Sequence, residues 1–166
     1  DYDPLDTVMM AGTGGTTGAP KGVMQTHRGT NLQTLLLMAI MPFSRAPVYL
    51  AVAPLTHATG YLTYPVFAAG GPVVLQRAPP IGRLLAAIPR HRVSHTFLPP
   101  TVIYSMLAEP GIGDVDFSSL EYFVYGASPM SPSRLREAIE VIGPVFLQMF
   151  GQTETLFPLT WLAPAD

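Results

Sequence analysis

The sequence predicts an α/β fold: a largely parallel, doubly wound sheet flanked by helices. Short apolar runs of four to six residues recur along the chain and read as strands buried on both faces. Stretches with helical spacing alternate with them, several bounded by Pro or Gly. At 166 residues one domain is the default, and the chain is long enough to bury a real core.

Leu5 to Ala11 is a short apolar run leading into a Gly/Thr cluster, and Val23 to Gln25 is a brief apolar–polar stretch. Arg28 to Met41 is helical, with Leu32, Leu35, Leu36 and Ala39 on the helical period and Pro42 as the stop. Val48 to Ala53 reads as a buried strand, and Gly60 to Ala69 as a helix despite Pro65. Val73 to Gln76 is a strand, Ile81 to Pro89 a helix, and His95 to Leu98 a strand. Pro100 to Ala108 is a helix with Pro at its start, where the missing N–H costs nothing. Glu109 to Ser119 contains Pro, Gly and Asp and reads as an exposed loop. Tyr122 to Tyr125 is a strand. Ser131 to Ile142 has the fullest helix signals, with Ser131 as N-cap, Pro132 next and Gly143 beyond the end. Val145 to Phe150 is the last strand; Leu156 to Asp166 is assigned no element.

Composition excludes several function classes. The chain is 48% hydrophobic but only 12% charged, against about 25% charged in ordinary soluble domains. Its mean hydropathy is +0.32. The uncharged stretch from Ala46 to Gln76 is interrupted by Pro54, His57, Gly60, Pro65, Gly70, Gly71 and Pro72, so no transmembrane segment is expected. Disorder is excluded by the apolar fraction and a net charge of −2. Nine Lys and Arg against eleven Asp and Glu argue against a nucleic-acid partner. Without Cys there is no disulfide or thiolate chemistry, which fits a reducing, cytoplasmic setting. Low charge, high apolarity and a start at Asp1 suggest that residues 1–166 are one piece of a larger domain. Such a piece is expected to self-associate through uncovered apolar surface.

The strongest local signal is Thr13 to Gly22, reading TGGTTGAPKG. Its backbone N–H groups can converge on an anion, with hydroxyls from Thr13, Thr16 and Thr17 and a positive charge from Lys21. A Walker A loop needs Gly-Lys-Ser/Thr, but Pro20-Lys21-Gly22 stands here. A dinucleotide fingerprint fails too, because Gly12 and Gly14 are followed by Thr17 instead of Gly.

This loop resembles the phosphate loop of the acyl-adenylate-forming superfamily, which includes acyl-CoA synthetases, luciferases and peptide-synthetase adenylation domains. Gly14 replaces the Ser common in that loop. Three further segments resemble the family in the same order: Pro54 to Gly60 (PLTHATG), Tyr125 to Met130 (YGASPM) and Phe150 to Glu154 (FGQTE). Phe150 stands where the family usually has Tyr. Together they run over nearly the whole chain, which makes the resemblance specific.

The resemblance implies a role for each matching residue. Thr13, Gly14, Gly15, Thr16, Thr17, Gly18 and Lys21 would hold the β- and γ-phosphates of ATP, and Lys21 would also act in catalysis. Gly126, Ala127 and Ser128 would form the adenine side, with Phe150 stacking on the base and Gly151 and Gln152 beside it. Thr153 would bond the α-phosphate, and Glu154 would hold Mg2+, a hard cation suited to carboxylate oxygen. Glu154 follows the end of a parallel strand, where such sheets bind ligands. His57 would stand at the mouth of the acid pocket near the reacting carboxylate. Thr59, Gly126, Gly151 and Phe157 would line that pocket, with Phe157 restricting substrate size.

Other candidates are weaker. His91 and His95 are four apart but straddle a helix-to-strand change without a third ligand. Arg83, Arg90 and Arg92 gather at a helix end, where cations complement the dipole. Ser128 and Ser131 lack a nucleophile elbow.

The implied function is ATP-dependent activation of a carboxylic acid to acyl-AMP, followed by transfer to the thiol of coenzyme A. An amino-acid adenylation domain and a non-catalytic nucleotide-binding module are the alternatives. The former needs an acid ahead of the adenine stretch, for which Asp114, Asp116 and Glu121 are the nearest residues. The family's ribose Asp, hinge and C-terminal lid domain with its catalytic Lys would all lie beyond Asp166. Lys21 is the only Lys in the chain.

Overall fold

A computed structural model describes residues 3–13, 21–155 and 157–164. The chain begins with a hairpin of β1 (Thr7–Thr13) and β2 (Lys21–Thr26), paired antiparallel with Thr13 opposite Lys21. Helix α1 (His27–Ile40) starts on Thr26, whose side chain accepts the Gly29 N–H at 3.2 Å. There follow β3 (Tyr49–Ala51), the short α2 (Ala58–Tyr61) and α3 (Thr63–Ala68), and β4 (Val73–Leu75). Next come α4 (Ile81–His91), β5 (His95–Leu98), α5 (Pro100–Leu107) and a 3-10 turn at Ile112–Asp114. The chain continues through β6 (Tyr122–Gly126), α6 (Pro132–Ile142), β7 (Phe146–Phe150) and β8 (Thr160–Leu162). Among the described residues no helix is long and apolar enough to cross a membrane.

Strands β4, β3, β5, β6, β7 and β8 lie side by side in that order, all parallel except β8, which runs antiparallel to β7. Alternation along the strands sorts the core into two layers. Leu50, Leu98, Phe123, Tyr125 and Phe146 face α4, α5 and α6. Tyr49, Ala51, Phe97, Val124, Leu147 and Met149 face the other way, with Leu37 of α1 and Leu62 and Val66 around α3. Both faces are therefore covered, which is why these strands are dominated by apolar residues, with His95, Thr96 and Gln148 among the polar exceptions.

The expected doubly wound sheet is present, with differences at its margins. The helix expected over Gly60 to Ala69 is two short helices meeting at Leu62, with Pro65 in the first turn of the second. Helix α4 runs past Pro89 and closes at Arg92, whose φ of 49° turns the chain left-handed. Ser131 occupies the N-cap of α6, yet its hydroxyl bonds Ser133 at 2.8 Å and caps no backbone N–H. The segment from Glu109 to Ser119 is not simply exposed: Ile112 and Phe117 bury against the α4–α6 layer. β8 was not expected, because all of its residues are exposed and no burial pattern marks them.

His95 lies deep in β5, stacked on Tyr49 with ring centroids 4.8 Å apart and flanked by Phe43. Ser94 Oγ donates to the Val48 carbonyl at 3.1 Å, so it accepts from His95 Nδ1 at 3.0 Å and leaves Nε2 as the bare nitrogen. Burial pushes the His95 pKa down to about 3. An unfolded imidazole, with a pKa near 6.5, takes up a proton that the folded one refuses. Stability is therefore lost as the pH falls below about 6.5, by about 1.4 kcal/mol per unit, until the folded pKa is reached. Denaturant melts at pH 7 and pH 5 should differ by roughly 2 kcal/mol, and His95→Phe should abolish most of that difference. An unchanged pH slope in the variant would assign the loss to other groups.

Candidate functional site

The carboxyl ends of β6 and β7, the segment after β3, the hairpin and α1 converge on a cavity of about 520 Å³. Parallel sheets present their strand ends and helix approaches to ligands at this edge. From the end of β6 and the turn after it come Gly126, Ala127, Ser128 and Pro129. A side chain at Gly126 would run into the backbone carbonyl of Met149 on β7, so the two strands close tightly beneath the cavity. Ala127 adopts φ 66°, a left-handed conformation costing an L-residue about 1 kcal/mol, and turns the chain sharply out of the strand.

From β7 come Gln148, Met149, Phe150, Gly151, Gln152 and Thr153. Phe150 is 58% exposed at the mouth, leaving its ring available to a flat partner. A Cβ on Gly151 would lie 2.7 Å from the Phe157 ring, so glycine lets that ring close the wall. Thr56, His57 and Ala58 border the cavity, with Tyr61 of α2, Phe97 of β5, Gln25 of β2 and Gln33 of α1. Gln25 Nε2 meets the Tyr61 hydroxyl at 2.6 Å, and Gln33 Nε2 donates to the Phe157 carbonyl at 2.9 Å. Among the described residues no lining side chain is acidic, Lys or Arg.

His57, Gly126, Ala127, Ser128, Phe150, Gly151, Gln152, Thr153 and Phe157 are thus brought together on one cavity. Thr59 stands apart: it is buried in α2, where its carbonyl accepts from the Tyr49 hydroxyl at 3.2 Å. Glu154 is exposed, next to Thr153 but outside the lining. It forms no ion pair among the described residues, which leaves its carboxylate able to share a dication with phosphate oxygens. Thr13 and Lys21 close the hairpin side by side, with Thr13 Oγ1 3.4 Å from the Lys21 carbonyl, and neither lines the cavity. Gly14, Gly15, Thr16, Thr17 and Gly18 lie outside the described residues.

Gln25, Gln33, Tyr61 and Phe97 were not singled out from the sequence. Gln33 was readable, since it sits four residues before Leu37 on the buried face of α1. Glu121 pairs with Arg45 at 3.4 Å and accepts the Ser44 N–H, away from the cavity. Asp116 is held below the usual carboxylate range by hydrogen bonds from Ser118 on the surface. Among the described residues no group of three His, Cys, Asp or Glu is placed to hold a metal.

The AMP-binding enzyme family matches residues 1–166. The chain belongs to that family. Medium/long-chain-fatty-acid–CoA ligase FadD8 of Mycobacterium tuberculosis is 37% identical over 167 residues, covering 100% of this chain and 29% of that protein. The 2-hydroxy-7-methoxy-5-methyl-1-naphthoate–CoA ligase of Streptomyces carzinostaticus is 34% identical over 168 residues, covering 97% of this chain and 30% of that protein. The chain therefore spans about 30% of the length of such relatives.

Solved structures agree with this assignment. Amide bond synthetase McbA from Marinactinospora thermotolerans superposes with a TM-score of 0.86 at 34% identity, over 95% of this chain and 31% of that one. O-succinylbenzoate coenzyme A synthetase (MenE) from Bacillus subtilis, in complex with ATP and magnesium ion, gives 0.87 at 27% identity, over 98% of this chain and 34% of that one.

Proposed function

We propose that this chain carries the nucleotide- and acid-binding walls of an ATP-dependent acid–thiol ligase, an acyl-CoA synthetase. The observation that carries the reading is the cavity at the ends of β6 and β7, uncharged among the described residues, in a chain of the AMP-binding enzyme family. In the proposed reaction a carboxylate oxygen attacks the α-phosphorus of ATP, the bond to pyrophosphate breaks, and acyl-AMP forms. The thiol of coenzyme A then attacks the acyl carbon and AMP leaves. The relatives named CoA ligases support coenzyme A as the acceptor.

Within that reading Phe150 stacks on adenine, and Gly126, Ala127 and Ser128 border the base. Thr153 donates to the α-phosphate, while Thr13, Lys21 and the 14–18 segment hold the leaving phosphates. Fixed donors of this kind stabilise charge that builds up during displacement. Glu154 would hold Mg2+, which neutralises phosphate charge when bound. His57 stands by the reacting carboxylate, and Phe157 limits the size of the acid. The ribose Asp, the lid domain and its Lys belong to the rest of the proposed enzyme, which we place in the cytoplasm.

An amino-acid adenylation domain is the weaker reading, since among the described residues nothing acidic lines the cavity to meet a substrate ammonium. The deciding experiment is acid-dependent ATP–pyrophosphate exchange by the full-length protein. Exchange with a carboxylic acid supports the ligase; none across a broad panel of acids would leave only a nucleotide-binding module.

Residues 1–166 also form, in this proposal, one piece of the larger domain. Edge strands β4 and β8 carry exposed Leu75 and Leu162, and the hairpin exposes Met10 and Met24 at 69% and 70%. Open edges and apolar surface invite pairing with a second copy. The isolated chain should sediment as dimers or larger species, and a single monomer boundary would contradict this.

A further inference from the structure

Phe157 owes its place on the cavity wall to two neighbours. Its ring lies against Gly151, where a Cβ would come within 2.7 Å of the ring and 3.3 Å of the Phe157 Cα. Its carbonyl accepts from Gln33 Nε2 at 2.9 Å, a bond between residues 124 positions apart. Between β7 and β8 the chain loops out over residues 151–159. The Leu159 N–H returns to the Phe150 carbonyl at 2.8 Å and closes the base of that loop. Gln33 fastens the Phe157 part of it to α1.

Gln33 is 2% exposed, on the face of α1 that also buries Leu37. Only an amide nitrogen can donate to a carbonyl, so the orientation of this amide is settled. Its oxygen is then shut away from solvent, without a partner among the described residues. An unmet buried acceptor costs stability, and an apolar side chain would fill the same space without one. Burial alone therefore does not account for an amide here. The bond to the Phe157 carbonyl does.

We infer that Gln33 is a positioning residue for acid selection: by holding the Phe157 carbonyl it fixes where the Phe157 ring stands, and so how large an acid the cavity admits. This rests on the acid–thiol ligase reading above, in which Phe157 limits the acid. Gln33 acts through the backbone of Phe157. Its amide needs no contact with the acid, since the nitrogen is engaged and the oxygen closed off. A wall pinned at its backbone excludes oversized acids sharply, whereas one held by ring contacts alone yields to them.

The test is acid-dependent ATP–pyrophosphate exchange by the full-length protein, with straight-chain acids and with 4-alkylbenzoates of increasing length. In whichever series the parent works, kcat/KM falls once the acid outgrows the cavity. The ratio of kcat/KM for an overlong acid to that for the optimal one measures the cut-off. Gln33→Met keeps the length and bulk of the side chain but removes the donor, and should raise that ratio at least roughly tenfold. Phe157→Ala should raise it as well. In the Phe157→Ala background Gln33→Met should then add less than about twofold, because the bond has no ring left to place. A merely structural Gln33 would lower exchange with every acid alike and leave the ratio unmoved. If Gln33→Met does not fold, Gln33→Asn, whose amide stops one methylene short of the carbonyl, makes the same comparison. An unmoved ratio in the Gln33 variant, or effects of the two substitutions that multiply, overturns the inference and leaves the ligase standing. An unmoved ratio in Phe157→Ala removes Phe157 from acid selection and overturns the inference with it, the ligase again standing. Exchange with no acid at all overturns the ligase reading, and this one with it.

Discussion

Gly126→Ala should lower the thermal midpoint by roughly 6–12 °C, the equivalent of about 3 kcal/mol at this chain length. The added Cβ would overlap the Met149 carbonyl, a backbone atom held in register opposite Gly126 by the β6–β7 pairing. It could be accommodated only by parting the two strands whose ends form the cavity floor. Nucleotide affinity should fall with stability for that reason. Gly113→Ala is the control, because a Cβ there meets nothing within 4 Å, and its midpoint should stay near the parent's. Equal midpoints for the two variants would show that the strands are less tightly closed than the structure has them.

Glu154→Gln in the full-length protein should cut acid-dependent exchange by about a hundredfold at saturating Mg2+, the scale seen when one electrostatic contact to developing charge is removed. The substitution keeps the shape and removes the charge. Stability should be unaffected, because Glu154 is exposed and takes part in no ion pair among the described residues. A loss of exchange together with a lowered midpoint would instead point to a structural role. Exchange equal to the parent's would remove Glu154 from the site.

Much of the fold was legible because burial on both faces writes itself into the sequence. Tyr122–Gly126 is a continuous apolar stretch, and His95–Leu98 ends in one, because helices cover the sheet above and below, and Pro100 and Pro132 mark the helix starts they occupy. Thr160–Leu162 lacked such a mark, since an exposed three-residue edge strand is defined by its hydrogen bonds to β7 and not by its side chains. Ile112 and Phe117 were hidden by the Pro, Gly and Asp around them, although the chain folds back there to fill the core.

The cavity shows the same division. FGQTE and YGASPM could be singled out because each is a compact segment that resembles a family motif, and the structure sets both at one edge. Gln25, Gln33 and Tyr61 reach the cavity from three different elements, and their meeting depends on how the hairpin, α1 and α2 pack. Nothing local in the sequence announces such a meeting. Glu154 and Lys21 do not line the cavity.

In the proposed reaction one cavity, at the ends of β6 and β7, holds the mixed anhydride of an acid and AMP. A crystal structure of the full-length protein with an acyl-sulfamoyladenosine, a stable mimic of that anhydride, tests it most directly. Adenine is expected against Phe150 and the Gly126–Pro129 turn, the sulfamoyl group beside Thr153, and the acyl group running towards Gln33 and Phe157. Density for the mimic at any other place on the protein, or an acyl group directed away from Gln33 and Phe157, would contradict it.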